Sequence, residues 1–218
     1  RILLDNGWYA MLRRDNVELL TGSASRLDRE GLTVSDGAGG PDRHVDADVI
    51  VFATGFEIAA MASRLEIRGR HGATLADAWA DDDPRAHLGI TVPGFPNLFC
   101  MQGPNTGLGH GGSAIFTSEC QARHITACMA AIAERGASSI EPTTSAHDAY
   151  VARVDAEHER LIWTHPGMET YYRNRNGRVV SVMPWRLVDY WAMTHDLDAD
   201  DQLFGSVAAV DRDSDLSG

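Results

Sequence analysis

Asn97-Leu98-Phe99-Cys100-Met101-Gln102-Gly103-Pro104-Asn105-Thr106-Gly107-Leu108-Gly109-His110-Gly111-Gly112-Ser113 leads straight into the helical pattern of 113–135, and it decides how this chain is read. A short apolar run, a glycine-rich turn and a long helix in succession make the repeating unit of an α/β fold. Residues 97–102 are expected as a short buried strand. Ser113 is a suitable N-cap. Ile125, Cys128, Met129 and Ile132 give the helix an apolar stripe, and Gly136 after Arg135 ends it. A helix N-terminus presents unpaired N–H groups and a partial positive charge, and glycines let a ligand come close. Such a site suits a phosphate, a carboxylate or an electron-rich carbonyl. The chain has no GxxxxGK[ST] phosphate loop, and this glycine run is read as something other than a pyrophosphate cradle. A plain glycine-rich surface loop stays open as the alternative.

Upstream, residues 44–55 alternate at first and then become the continuous run Val49-Ile50-Val51-Phe52-Ala53-Thr54-Gly55. A continuous β-branched run predicts a strand buried on both faces, as in a parallel sheet, and small residues at its carboxyl end suit a backbone passing close to a ligand. Before it, residues 5–14 predict a helix capped by Asp5 or Asn6, with Trp8, Met11 and Leu12 inward. Residues 17–20 predict a strand, 26–35 a hairpin turning at Glu30-Gly31, and 36–42 a loop. Leu75, Ala78 and Trp79 predict a short helix, and 94–97 a turn. Beyond the central helix, a second starts near Ser145, with Asp148 in the capping-box position and Tyr150, Val154, His158 and Leu161 on one face. An aromatic stretch occupies 163–178, a strand 179–183, and a last helix begins with Pro184 in its first turn. Residues 196–218 read as a loosely ordered acidic tail.

The chain has 218 residues, 44% hydrophobic and 23% charged, and a formal net charge of -12. That charge argues against nucleic acid or an anionic membrane as the main partner, since both need a basic surface. No apolar stretch is long enough for a membrane span, and no signal peptide is visible. Cys100, Cys120 and Cys128 form no CxxC pair and read as reduced thiols of a cytoplasmic protein. No histidine pair has metal-ligand spacing, so no metal is expected. Ser113 lies outside any GxSxG elbow, and Cys100 reads as an inert buried thiol. His124 and His158 read as core or boundary residues. Trp163, Tyr171, Tyr172, Trp185, Tyr190 and Trp191 are most simply a satellite core, with a minority reading in which one or two rings wall a pocket.

Several segments together resemble one family. Ala53-Thr54-Gly55-Phe56 on its apolar run resembles the ATGF strand of class B flavoprotein monooxygenases. Pro93-Gly94-Phe95-Pro96-Asn97-Leu98-Phe99 followed by Gly103-Pro104-Asn105 resembles the next landmark of Baeyer–Villiger monooxygenases. The glycine loop, and the block from Tyr171-Tyr172-Arg173-Asn174 to Pro184-Trp185-Arg186-Leu187-Val188-Asp189-Tyr190-Trp191, resemble the 4-hydroxyacetophenone monooxygenase branch. The opening Arg1-Ile2-Leu3-Leu4-Asp5-Asn6-Gly7-Trp8-Tyr9 resembles the end of the family's NADP domain.

The resemblance implies the C-terminal part of a flavoprotein with two dinucleotide-binding domains. Residues 1–46 would end the NADP-domain region, 47–140 would be the C-terminal part of the FAD-binding domain, 141–195 a helical aromatic extension and 196–218 a tail. It implies FAD and NADPH as cofactors, with oxygen insertion from O2 into a ketone to give an ester or lactone. Ala53, Thr54, Gly55, Gly112, Ser113, Ala114 and Tyr171 are implied in cofactor binding, and Leu108 and His110 in the substrate pocket. The family's own FAD and NADP loops, its FxGxxxHxxxW-type fingerprint and its catalytic arginine would lie upstream of Arg1. The implied partner is therefore the N-terminal portion of the same enzyme, without which the chain is expected to be inactive. An N- or S-oxygenating flavin monooxygenase and a non-catalytic interaction domain remain as alternatives.

Overall fold

The computed structural model describes residues 4–35, 40–56, 58, 60–61, 65–109, 111–168 and 170–205. The chain divides into two compact units at Phe56/Glu57.

In the first unit, α1 (Trp8–Met11) is a single turn, not a helix through residue 14. Asp5 does serve its start, its Oδ1 accepting from the Trp8 N–H at 2.6 Å. Trp8 is 59% exposed rather than inward, because one turn offers no second row of side chains to pack against. Residues 17–20 form no strand. β1 (Ser23–Leu27), β2 (Gly31–Ser35) and β3 (Arg43–Asp46) make an antiparallel sheet in that order. The hairpin turn lies at 28–30, one step earlier than predicted. Asp28 organises it, its Oδ1 accepting from the N–H groups of Glu30 and Gly31 at 3.0 Å each. These bonds, led by that from Glu30 and joined by His44 and Arg26, hold the Asp28 carboxyl down at about 2. Gly31 has no room for a side chain: a Cβ there would stand 1.9 Å from the Val45 carbonyl oxygen.

The predicted buried strand at 49–55 is not formed. Val49, Val51, Phe52 and Phe56 are 79, 81, 70 and 92% exposed, in irregular backbone. A two-sided strand needs a neighbouring ladder, and the described residues supply none here.

The second unit begins with α2 (Leu75–Ala78), capped by Thr74, whose hydroxyl oxygen accepts from the Asp77 N–H at 3.1 Å. The short helix predicted from Leu75, Ala78 and Trp79 forms; Leu75 and Trp79 are buried with Ala86, Val92 and Phe95, while Ala78 is exposed. The turn at 94–97 forms, with Gly94 and Asn97 at φ 80° and 60°. α3 (Ala114–Glu134) has Ser113 as N-cap, its Oγ accepting from the Phe116 N–H at 3.2 Å, and Gly136 follows at φ 61°. Its buried face is Thr117, Cys120, Gln121, His124 and Cys128, turned from the predicted stripe; Met129 is 61% exposed. The polar members of that face are held by hydrogen bonds described below.

β4 (Ser139–Pro142) precedes α4 (Thr144–His158). Thr143, not Ser145 with Asp148, caps α4 by accepting from the Ala146 N–H at 3.1 Å. Tyr150, Val151, Val154 and His158 are buried. α5 (Leu187–His195) starts three residues after Pro184. β5 (Gln202–Gly205) pairs antiparallel with β4, so the expected loose tail is ordered at least to Gly205. Residues 206–218 lie outside the described part. The fold class is mixed α/β, but both sheets are antiparallel, and the segments predicted as strands at 97–102 and 179–183 are irregular instead, with Gln102 at φ 53°. Residues 98–102 are half-buried or exposed, tied to Ile90 by one bond from the Cys100 N–H at 2.7 Å. Residues 179–183 are buried, paired with the glycine loop at a single parallel bridge, Gly107 to Val182.

Candidate functional site

The glycine loop of 103–113 is pinned from behind and open in front. The N–H of Asn105 donates to the Val180 carbonyl at 2.9 Å, that of Gly107 to Ser181 at 2.8 Å, and that of Met183 to Gly107 at 2.7 Å. The Asn105 side-chain N–H group donates to the Val179 carbonyl at 2.8 Å, and Arg178 reaches the Asn105 Oδ1 at 3.5 Å. Arg178 is itself half-buried, bonded to Asp155 at 2.8 Å and Asp83 at 3.1 Å. Gln102 joins the loop's start to α3: its N–H donates to the Gln121 Oε1 at 2.9 Å, and its side chain to the Ala114 carbonyl at 3.0 Å and the Ser118 hydroxyl at 2.8 Å. Gln121 donates onward to the Tyr190 hydroxyl at 3.1 Å, which donates to the Leu88 carbonyl at 2.8 Å. Leu88, Gln102 and Asn105 all have positive φ of 53–55°. Strained backbone held by a bonded network is a mark of functional loops.

By spacing alone Gly107, Gly109 and Gly112 satisfy GxGxxG, so the sequence pattern does not exclude a pyrophosphate cradle; the surroundings argue against one. A Cβ at Gly107 would stand 2.8 Å from the Ser181 carbonyl oxygen, and one at Gly109 3.0 Å from the Trp163 ring. These two glycines serve protein packing. Gly111 differs, since a Cβ there meets nothing within 4 Å. Gly111, Gly112, Ser113 and Ala114 are all exposed, with Ile115 at 73%. The first-turn N–H groups of Ala114 and Ile115 have no partner inside the helix.

Leu108 is half-buried, against the position a Gly112 Cβ would take. His110 lies outside the described residues. Tyr171 is 57% exposed, its ring 4.4 Å from Tyr172, which meets Trp163 edge-on at 5.1 Å. Rings thus run from Gly109 through Trp163 and Tyr172 to Tyr171, a connection the sequence did not reveal. Trp185 and Tyr190 belong instead to the packing around α4 and α5. Ala53, Thr54 and Gly55 are exposed in the first unit, Gly55 at φ 88°. Burial raises the Cys100 and Cys120 thiols and pushes Cys128 up to about 11, away from the thiolate form that a nucleophile needs.

The protein named uncharacterized monooxygenase y4iD of Sinorhizobium fredii is 38% identical over all of this chain, which spans 32% of that protein's length. A Baeyer–Villiger monooxygenase of Pseudomonas aeruginosa is 32% identical over 91% of the chain and 37% of its own length. The chain is a relative of the Baeyer–Villiger monooxygenases. Among solved structures, an oxidized steroid monooxygenase bound to NADP superposes with a TM-score of 0.75 at 29% identity, covering 95% of this chain and 39% of that one. The match is to the C-terminal portion of such structures. No family model matches the chain. It therefore spans 32 to 39% of the length of the three relatives named above. Among the described residues no helix is long and apolar enough to cross a membrane.

Proposed function

We propose that this chain is the flavin-edge and substrate-side portion of an FAD- and NADPH-dependent monooxygenase that inserts one oxygen atom from O2 into a ketone, giving an ester or lactone. The observation that carries this reading is similarity over 91% of the chain to a Baeyer–Villiger monooxygenase, at 32% identity for the Pseudomonas aeruginosa enzyme. The residues present fit a flavin edge: Gly111 has open space where a side chain would stand, next to the exposed start of α3. FAD, when bound, supplies the electron transfer and the activation of O2. The chain's own work is binding and placement. The N–H groups about Gly112, Ser113 and Ala114 are set to meet an electron-rich carbonyl, and the helix end favours negative charge there. Leu108 and His110 are assigned to the ketone side, Tyr171 to the nicotinamide cofactor, and Ala53, Thr54 and Gly55 to cofactor binding.

We assign 1–46 to the end of the NADP-domain region, 47–140 to the FAD-binding portion and 141–195 to a C-terminal extension. The exposed run Val49–Phe56 supports this assignment, because it is apolar enough to join a sheet supplied by the rest of such an enzyme. Three free thiols accord with a cytoplasmic setting.

Incubation with FAD followed by desalting is expected to leave the isolated chain without stoichiometric flavin. A longer polypeptide joining it to the N-terminal portion of a relative is expected to hold FAD and turn a ketone into an ester. Stoichiometric flavin on the chain alone overturns that division of labour. An N- or S-oxide in place of an ester assigns the protein to the other class of flavin monooxygenase, and no turnover at all assigns it a non-catalytic role.

A further inference from the structure

Away from the glycine loop, the second unit holds a half-open cleft of ≈ 280 Å³ between α4, the end of α5 and the segment leading into β5. Leu88, Ala146, Ala149, Tyr150 and Met193 give it an apolar wall, and Asp196, Asp198 and Asp201 an acidic rim. His87, His124 and Gln202 also line it, at 5, 2 and 7% exposure, and the His87 Nδ1, His124 Nδ1 and Gln202 Oε1 have no hydrogen-bond partner among the described residues. Buried polar atoms without partners are uncommon in folded proteins and call for an explanation.

Two of the three unpartnered atoms are acceptors. His124 donates its other ring N–H to the Thr194 carbonyl, which leaves Nδ1 a lone-pair acceptor. His87 places Nε2 3.9 Å from the Asp201 Oδ2, beyond hydrogen-bond reach, so its Nδ1 accepts or donates according to tautomer. The Gln202 Oε1 and the carboxylates accept only. Asp196 is partnered by His195 at 2.9 Å, whereas Asp201 is 43% exposed and forms no ion pair with an arginine among the described residues. The Arg153 guanidinium on the wall is occupied elsewhere, over the Trp185 ring at 5.4 Å and against the Met193 sulfur at 3.7 Å. Burial, with Asp198 and Asp200 close by, raises the Asp201 carboxyl, as expected of an acid short of a cation. No group of three His, Cys, Asp or Glu among the described residues could hold a metal ion. The surroundings ask for a multi-donor organic cation with an apolar stem.

We propose that this cleft binds a small primary alkylammonium, its charged head taken by Asp201 and Asp198 and its hydrocarbon stem lying along Leu88, Tyr150 and Met193. The test is calorimetric titration of n-butylammonium chloride into the whole 218-residue chain at neutral pH and constant ionic strength, with butan-1-ol as the uncharged control. Saturable one-to-one binding is expected, with a dissociation constant on the order of 1 mM, and none with butan-1-ol. Asp201→Asn is expected to weaken it about tenfold or more without lowering the melting temperature, since it removes a charge from a crowded acidic rim. Ala149→Leu, a change at an exposed helical position, is expected to fill the cleft and abolish binding. Absence of saturation, equal binding of butan-1-ol, or unchanged affinity in Asp201→Asn or Ala149→Leu overturns the proposal.

Discussion

Arg178 shows how one side chain can brace a loop it scarcely touches. Its guanidinium gathers Asp83, Asp155, the Pro84 carbonyl and Asn105, with its own side chain only 13% exposed. Arg178→Met removes the cation but leaves two carboxylates in place. It is expected to destabilise the chain by about 2–4 kcal/mol in urea unfolding, and a loss under about 0.5 kcal/mol would show that the hub is dispensable. The buried histidines act through protons. Burial holds His87 and His158 down to about 4, against 6.5 when exposed, and also lowers His124. The folded state therefore refuses protons that the unfolded chain accepts. Their effect on stability is absent above about pH 6.5 and grows unfavourable as pH falls toward 4. Each of the two is expected to lower stability by roughly 1–2 kcal/mol at pH 5. His158→Gln should flatten the melting temperature's dependence on pH between 7 and 5, and an unaltered slope would rule out this residue as a source.

Within α3 and its loop, two kinds of glycine can be told apart by substitution. Gly107→Ala drives a Cβ to 2.8 Å from the Ser181 carbonyl oxygen and is expected to lower the melting temperature by several degrees. Gly111→Ala meets nothing within 4 Å and is expected to leave the melt of this chain nearly unchanged. In a longer, flavin-holding polypeptide the order should reverse for flavin occupancy per folded molecule, with Gly111→Ala the more damaging. Equal occupancy in that variant and the parent would remove Gly111 from the site. Ser113→Ala deletes the acceptor for the Phe116 N–H and is expected to cost about 1 kcal/mol, measured by urea unfolding.

Taken as a whole, the chain keeps its apolar surface unevenly. The second unit has buried clusters around Leu75, Ile90, Tyr190 and Val179. The first exposes Val49, Val51, Phe52 and Phe56 almost completely. The isolated chain is expected to bind a hydrophobic dye such as ANS, and Phe52→Ser combined with Phe56→Ser to reduce that signal without lowering the melting temperature. Dye binding that survives both substitutions would place the sticky surface elsewhere.

The features that could be read from the residues alone were the local ones. Ser113 and Gly136 frame α3, a short helix forms at Leu75 and Gly94 to Asn97 turn, because capping bonds and positive φ involve residues only a few positions apart. His124 and His158 were likewise legible as core residues, each lying on the inward face of its helix. Some misses were local, such as Thr143 in place of Ser145 as the cap of α4, but the larger failures needed a partner distant in sequence. Val49 to Gly55 carries a strand's composition, but a strand exists only with a ladder beside it. The inward face of α3 is polar because Gln102 and Tyr190 reach Gln121, and β5 forms inside an acidic stretch because β4 lies alongside it. The candidate site divides the same way. The glycine loop and helix cap were visible as letters, whereas Trp163 against Gly109 and the Arg178 hub behind Asn105 came only from the fold, which alone brings together side chains more than fifty residues apart.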